Sequence, residues 1–371
     1  VPEIGIVGGG IGGLAAAAAL RKAGFDPVVY EQAAGFGRVG ADINLTPNAV
    51  RALDGLGVGE ELRETAARPK YRISRTWDTG EETSRLPMGD EAERRYGSPQ
   101  LTMHRADLLA ALERVLPDGV LRLGHKLAGL STTDRIRLEF GPDQAEADVV
   151  VGADGIHSAV RTALFGAEQP EFTGVVAYRA VVPAGAVDVP NRDCFTKWWG
   201  PDPDTQLVTF PLNRGADVFV FATTRQTQWR HESWTTPGEV AELRELYRGF
   251  HPEARALLDA CDSVLKSALY VRDPLPSWSS GCATLLGDAC HPMMPFMAQG
   301  AGMAIEDGVV LARALAEYPD AEPALKAYQA ARLDRTREVQ LGSRGNNWLK
   351  QGTGSAAADA IYGYDAWRAP V

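Results

Sequence analysis

Gly8-x-Gly10-x-x-Gly13, followed by Glu31, is the group of residues whose types and spacing point most directly to chemistry. Gly8 permits a tight turn, Gly10 lets a pyrophosphate approach the backbone, and Gly13 lets the next helix pack close to its sheet. The N–H groups opening that helix carry partial positive charge and face the phosphates. Glu31 stands about where an acid grips ribose hydroxyls, and it would repel the 2′-phosphate of NADP. NAD and FAD share this fingerprint, so it does not choose between them. Three further segments place small residues and one acid or base at strand ends, where α/β ligand sites lie. They are His104-Arg105-Ala106-Asp107-Leu108, Gly152-Ala153-Asp154-Gly155, and Gly287-Asp288-Ala289-Cys290-His291-Pro292, the last continuing through Pro295 to Ala298-Gln299-Gly300-Ala301-Gly302.

The elements that must position these residues follow from pattern. Ile4 to Val7 reads as a buried strand, Leu14 to Ala23 as an alanine-rich helix stopped by Gly24, and Pro27 to Glu31 as a second strand. This is a parallel strand–turn–helix–strand unit. Helices are expected at Asn48 to Leu56 and Arg105 to Val115, with strands at Tyr71 to Trp77, around Leu121, at Ile136 to Phe140 and at Ala147 to Val151. From Gly174 to about Leu269 the runs alternate in the manner of an antiparallel sheet, with one helix, Pro237 to Tyr247, among them. The strand Ala283 to Leu286 and helices at Gly302 to Ala316 and Glu322 to Leu349 return to the first pattern. The expected fold is α/β: a Rossmann-like domain (1–73, 101–172 and 266–330), an inserted, mainly antiparallel β-sheet substrate domain (74–100 and 173–265), and a C-terminal helix and tail (331–371).

Composition limits the remaining classes. With 371 residues, 45% hydrophobic and 23% charged, the chain can bury a sizeable core. A net charge of -10 with no Lys/Arg-rich block argues against nucleic acid and anionic membranes as partners. The apolar stretch Ile4 to Leu20 is too short and glycine-rich for a membrane span, and it lacks the flanks of a secretion signal. Cys194, Cys261, Cys282 and Cys290 are sparse and irregular, which fits free thiols in a reducing, cytoplasmic setting. The histidines (His104, His125, His157, His231, His251 and His291) show no metal-ligand spacing, so no metal is expected. His104, His157 and His291 sit inside the ligand motifs and read as structural.

The order and spacing of these motifs along the whole chain resemble the single-component FAD-dependent aromatic hydroxylases, which share the 4-hydroxybenzoate hydroxylase fold. Within that family, Leu285 to Asp307, Val151 to Ser158, Lys197-Trp198-Trp199 and Tyr362-Gly363-Tyr364-Asp365 resemble the 6-hydroxynicotinate and salicylate hydroxylases most. The resemblance implies that Gly8, Gly10 and Gly13 hold the FAD pyrophosphate and Glu31 the adenosine ribose, with Gln32, Arg38 and Leu127 also at the cofactor. Arg105 would reach the ribose and pyrophosphate, Asp154 would support the site, and Asp288 would contact the ribityl chain. Pro295 would lie beside the flavin ring, with Gly300, Ala301 and Gly302 at its pyrimidine end. NADH or NADPH would reduce the flavin, and O2 would give a flavin C4a-hydroperoxide that hydroxylates a phenolic or hydroxypyridine-type ring; the substrate is expected to be a carboxylate, with or without loss of that group.

The pocket departs from the relatives: Asn44 and Phe296 stand where they carry histidines, Phe195 about where they carry a cysteine, and Asp42 replaces a glycine beside the flavin. Substrate contacts are expected from Asn44, Tyr178, Phe195, Thr209, Phe210 and Phe296, with Tyr178 relaying a proton. The expected partners are a small aromatic substrate, O2 and NAD(P)H, and the assembly a monomer or homodimer. A reductase or dehydrogenase of the same fold, and a non-catalytic FAD- or ligand-binding regulator, stay open as alternatives.

Overall fold

The structure is a computed structural model that describes residues 1–37, 42–229, 236–350 and 356–371. A six-stranded sheet runs in the order Ser279–Ser280, Ala283–Leu285, Val149–Gly152, Ile4–Val7, Pro27–Tyr30, Leu121–Arg122. All neighbours are parallel except the first pair. Ile4–Val7 sits in the middle and is buried at every position, as strands covered on both faces are. The helix Ile11–Lys22 follows directly and packs against the long helix Gly300–Glu317. Its alanines and Gly308 permit the close approach: a Cβ on Gly308 would lie 2.7 Å from the Ala16 amide nitrogen. Likewise a Cβ on Gly12 would lie 2.7 Å from Leu286 and 3.2 Å from the Ala304 Cβ, so the starts of the two helices lie side by side.

A second, eight-stranded sheet is built almost wholly from antiparallel neighbours. Its order is Thr236–Gly238, Val264–Val271, Glu171–Pro183, Asp217–Arg225, Gln206–Leu212, Phe195–Trp199, Tyr71–Thr76, Glu82–Pro87. The two-residue period sends alternate side chains to opposite faces. One face carries Val176, Tyr178, Trp198, Leu207, Val220 and Val264 onto the helices Val240–Leu246 and Pro252–Asp259. The other carries Val175, Ala177, Phe195, Val208, Phe210, Phe219, Phe221 and Leu269 against Met294 and Phe296.

This pairing moves the expected boundaries. Tyr71–Thr76 and Val264–Val271 both belong to the large sheet, so divisions at 73 and 265 cut through strands. The segment after Trp77 supplies the edge strand Glu82–Pro87 and the helix Asp90–Tyr96. Ala321–Arg344 is one continuous helix across residue 331 and stops short of the expected Leu349. These ends were missed because register, not local composition, decides which sheet a short apolar run joins. No described helix is long and apolar enough to cross a membrane.

Candidate active site

The glycine turn begins where the strand Ile4–Val7 ends. Gly8 has φ +107°, and a Cβ there would strike the Ala153 carbonyl oxygen at 2.3 Å. A Cβ on Gly13 would lie 1.9 Å from the Gly8 oxygen. Gly10 is different: a Cβ there meets nothing within 4 Å, so its surroundings are open. It precedes a helix with no side-chain cap, which leaves the first N–H groups free for an anion. Glu31 closes the turn by accepting from the Gly9 N–H at 2.6 Å and the Ala33 N–H at 2.8 Å. Gln32 is exposed beside it. Arg38 lies outside the described residues.

A second uncapped helix start belongs to Gly300–Glu317, whose N-cap Gln299 turns its side chain inward to donate to Thr46 Oγ1 at 2.8 Å. Asp288 stands beside it: a Cβ on Gly300 would lie 4.0 Å from Asp288 Oδ1. The Asp288 side chain reaches solvent, yet so much protein surrounds it that desolvation raises its pKa, against the pull of His291 and Arg105. Accessible and deep at once, it marks the wall of a cleft. Asp42 shares this character. Burial pushes it up to about 6, opposed by Arg179 and Arg105. Pro295 and Arg105 are exposed, and the Arg105 charge acts on both acids. Two open helix starts, the vacant space at Gly10 and an acid deep in a cleft fit a long, anionic, pyrophosphate-bearing cofactor, and FAD is such a group.

Below the second helix start lies a buried charge network that sequence reasoning missed. Asn48 donates to Gln299 at 3.0 Å and to Glu306 at 2.7 Å. Glu306 pairs with Arg332 at 2.8 Å and Arg335 at 2.9 Å. Asp307 accepts from Arg332 at 2.7 Å, His291 at 2.5 Å and the Gly287 N–H at 3.0 Å. Burial works to raise Asp307, but His291 and Arg332 outweigh it and hold it at about 2. The sequence signal was present: two acids inside an otherwise apolar helical run need buried partners. Cys290, His291 and Asp307 also bring three metal-type donors within 4.8 Å of one another. A metal ion there would compete with the Arg332 guanidinium for Asp307.

The other expected residues sort as follows. Phe195, Phe210 and Phe296 come together in one aromatic cluster with Met294, and Phe195 stacks on Phe210 at 5.7 Å. Asn44 lies on the ribbon Ile43–Leu45, opposite Thr102, and accepts from Gln100 at 2.7 Å. Thr102 in turn donates to the Pro211 carbonyl at 2.6 Å, fixing the ribbon to the large sheet. Tyr178 does not join them. It lies on the opposite face, among Val176, Trp198 and Tyr247, where burial and Glu242 raise its pKa. Its neighbour Arg179 takes the pocket side, over the Phe221 ring at 5.3 Å and bonded to Ser267. Thr209 is displaced by the same alternation: Val208 and Phe210 face the aromatic cluster, so Thr209 faces away.

Asp154 spends both oxygens on its own loop. It accepts from Ser158 Oγ at 2.5 Å and from the Ala159 and Val160 N–H groups at 2.7 and 3.1 Å. It thereby shapes the cleft wall through the helix Ala159–Phe165. Leu127 is core, packed with the six-stranded sheet. Gly302 faces Ala49 and Asn48 rather than open space. His104 accepts from the Ala106 N–H and caps the helix Arg105–Arg114. The four cysteines are free.

Comparison with known proteins agrees with this geometry. Residues 2–341 match the FAD binding domain family. The 6-hydroxynicotinate 3-monooxygenase of Bordetella bronchiseptica is 40% identical, covering 100% of this chain and 97% of its own. Klebsiella pneumoniae HpxO, solved with FAD and uric acid, superposes with a TM-score of 0.83 at 27% identity, covering 97% of this chain and 91% of its own. A salicylate hydroxylase substrate complex gives 0.84 at 26% identity, covering 98% and 96%. The chain belongs to the FAD-binding-domain family of flavoprotein aromatic hydroxylases.

Proposed function

We propose that this chain hydroxylates a phenolic or hydroxypyridine-type aromatic ring with NAD(P)H and O2. One observation carries the reading: the loop that opens the second helix start is continuous with the aromatic cluster. Met294 and Phe296, flanking Pro295, pack onto Phe195 and Phe210 of the large sheet. A planar substrate between that cluster and Pro295 would lie against the cofactor. Bound FAD supplies the hydride acceptance and oxygen activation that side chains lack.

The protein's own residues would do the rest. Gly10 leaves room for the pyrophosphate while Gly8 and Gly13 let the turn and helix close beneath it, and Glu31 has lone pairs left for ribose hydroxyls. Arg105 and Asp288 would bind from the cleft walls. The N–H groups of Gly300 and Ala301 favour negative charge on the cofactor. Met294, Phe195, Phe210 and Phe296 exclude water from the reacting ring. Asp42, whose pKa burial raises to about 6, would take the proton-exchanging role expected of Tyr178.

The test is NADH and NADPH oxidation by FAD-loaded protein with and without hydroxylated benzoates and pyridine carboxylates. Strong stimulation by one compound, with a matching hydroxylated product, is expected. Reduction at the same rate with and without every compound would favour the reductase alternative.

A further inference from the structure

Six cations are buried among the described residues: Arg72, Arg161, Lys197, Lys266, Arg272 and Arg332. Four have a carboxylate. Arg161 and Arg272 meet Glu168 at 2.6 and 3.6 Å, Lys266 meets Glu242 at 3.0 Å, and Arg332 meets Glu306 at 2.8 Å. Among the described residues Arg72 and Lys197 have none, and they are neighbours. Their strands pair in parallel, with Arg72 opposite Phe195 and Lys197 two residues further along. Arg72 is 6% exposed and Lys197 1%.

Both face the aromatic cluster. The Arg72 guanidinium lies 4.8 Å from the Phe195 ring centre, and the Lys197 ammonium lies between the rings of Trp199 and Phe296, 3.7 and 5.7 Å from their centres. Their hydrogen bonds are few and neutral. Arg72 donates to the Trp348 carbonyl at 3.3 Å and leaves its buried Nε–H without a partner. Lys197 donates to Asn346 Oδ1 at 2.6 Å. Burial lowers the Lys197 pKa well below an ordinary lysine's, and the charges that act on it, Arg72 and Lys350, push it the same way. Two adjacent buried cations without a counter-charge are costly, and an anion would relieve that cost.

We infer that Arg72 and Lys197 anchor a carboxylate on the aromatic substrate, with its ring lying among Phe195, Phe210 and Phe296. This rests on the hydroxylase reading and assigns two residues to the carboxylate that the substrate is expected to carry. Asn346, which holds Lys197 here, sits just beyond the helix Ala321–Arg344, so that junction forms the outer wall of the anchor.

The experiment is equilibrium titration of FAD-loaded protein, followed by the flavin spectrum. The probes are 6-hydroxynicotinate, 4-hydroxybenzoate and salicylate, each against its neutral amide. At least one acid is expected to bind more tightly than its amide by about tenfold or more. Lys197→Met and Arg72→Met should each lose that preference while Lys197→Arg keeps it. Removing an unpaired buried charge should also leave the melting temperature of the ligand-free methionine variants unchanged or higher. Amides binding as well as acids, no acid binding at all, or a preference surviving in both methionine variants would overturn the inference. So would chloride that protects the wild type against melting while no acid competes with it, because the anion would then be inorganic. Binding is read without turnover, so the two readings fail separately. Acid preference lost in the variants, with no product from any acid, sinks the hydroxylase reading alone. Hydroxylation of neutral phenols with no acid preference sinks the anchor alone.

Discussion

At the residue scale, the cleft is made of side chains whose protonation its walls control. Asp42 is the clearest case, since burial moves it to about 6 against the pull of Arg179 and Arg105. A carboxyl whose folded pKa is raised favours the folded state most below its unfolded pKa, and that contribution fades as pH rises through the folded value. Asp42→Asn should therefore gain stability relative to wild type as pH rises from about 4 to about 7, by at most about 2 kcal/mol because the side chain keeps some water. Thermal melts of the FAD-free proteins across that range check it, and a constant difference would place Asp42 outside the cleft. The same variant should lose an inflection near 6 in the pH profile of substrate-stimulated NAD(P)H oxidation. Asp42 was visible in the sequence as a departure from a glycine, but its environment was not, because Arg179 and Arg105 reach it from distant segments. Tyr178 shows the opposite failure: an aromatic on a strand carries no mark of which face it takes until the register is known.

At the element scale, the two helix starts and the turn before each were readable, because glycine spacing encodes backbone approach directly. The glycines nevertheless differ in what they do. Gly10→Ala adds a methyl that meets nothing, so it should leave FAD-free stability within about 0.5 kcal/mol of wild type while weakening FAD binding by about tenfold or more. Gly13→Ala drives its methyl into the Gly8 carbonyl and should destabilise the protein whether or not FAD is present. Melts paired with FAD titration separate the two, and equal effects would contradict a cofactor over Gly10. The charge network beneath the second helix was less legible. Glu306 and Asp307 invited buried partners, but nothing local named Arg332, which comes from the following helix. Asp307→Asn should cost about 3–5 kcal/mol, since it leaves Arg332 and His291 buried without their shared carboxylate. Chemical denaturation measures that cost, and a loss below about 1 kcal/mol would mean that the network is dispensable.

At the scale of the whole molecule, two sheets meet along one cleft. The parallel sheet offers helix starts and glycines suited to a dinucleotide cofactor. The mainly antiparallel sheet offers an aromatic face with two unpaired cations. Those halves were separable in the sequence by their different periodicities, but their boundary was not, since Tyr71–Thr76 and Val264–Val271 cross to the large sheet by pairing alone. Met294 and Phe296 join the two halves by packing on the large sheet, and on the proposed hydroxylase function oxygen from O2 ends on a ring held against the cofactor. The most direct measurement is turnover of the FAD-loaded protein with NAD(P)H and the stimulating aromatic acid under 18O2 in unlabelled water, with the product's mass recorded. One 18O atom is expected in each hydroxylated product molecule. Product without label, or reduced cofactor consumed with peroxide as the sole oxygen product for every aromatic acid tried, would contradict the proposed function.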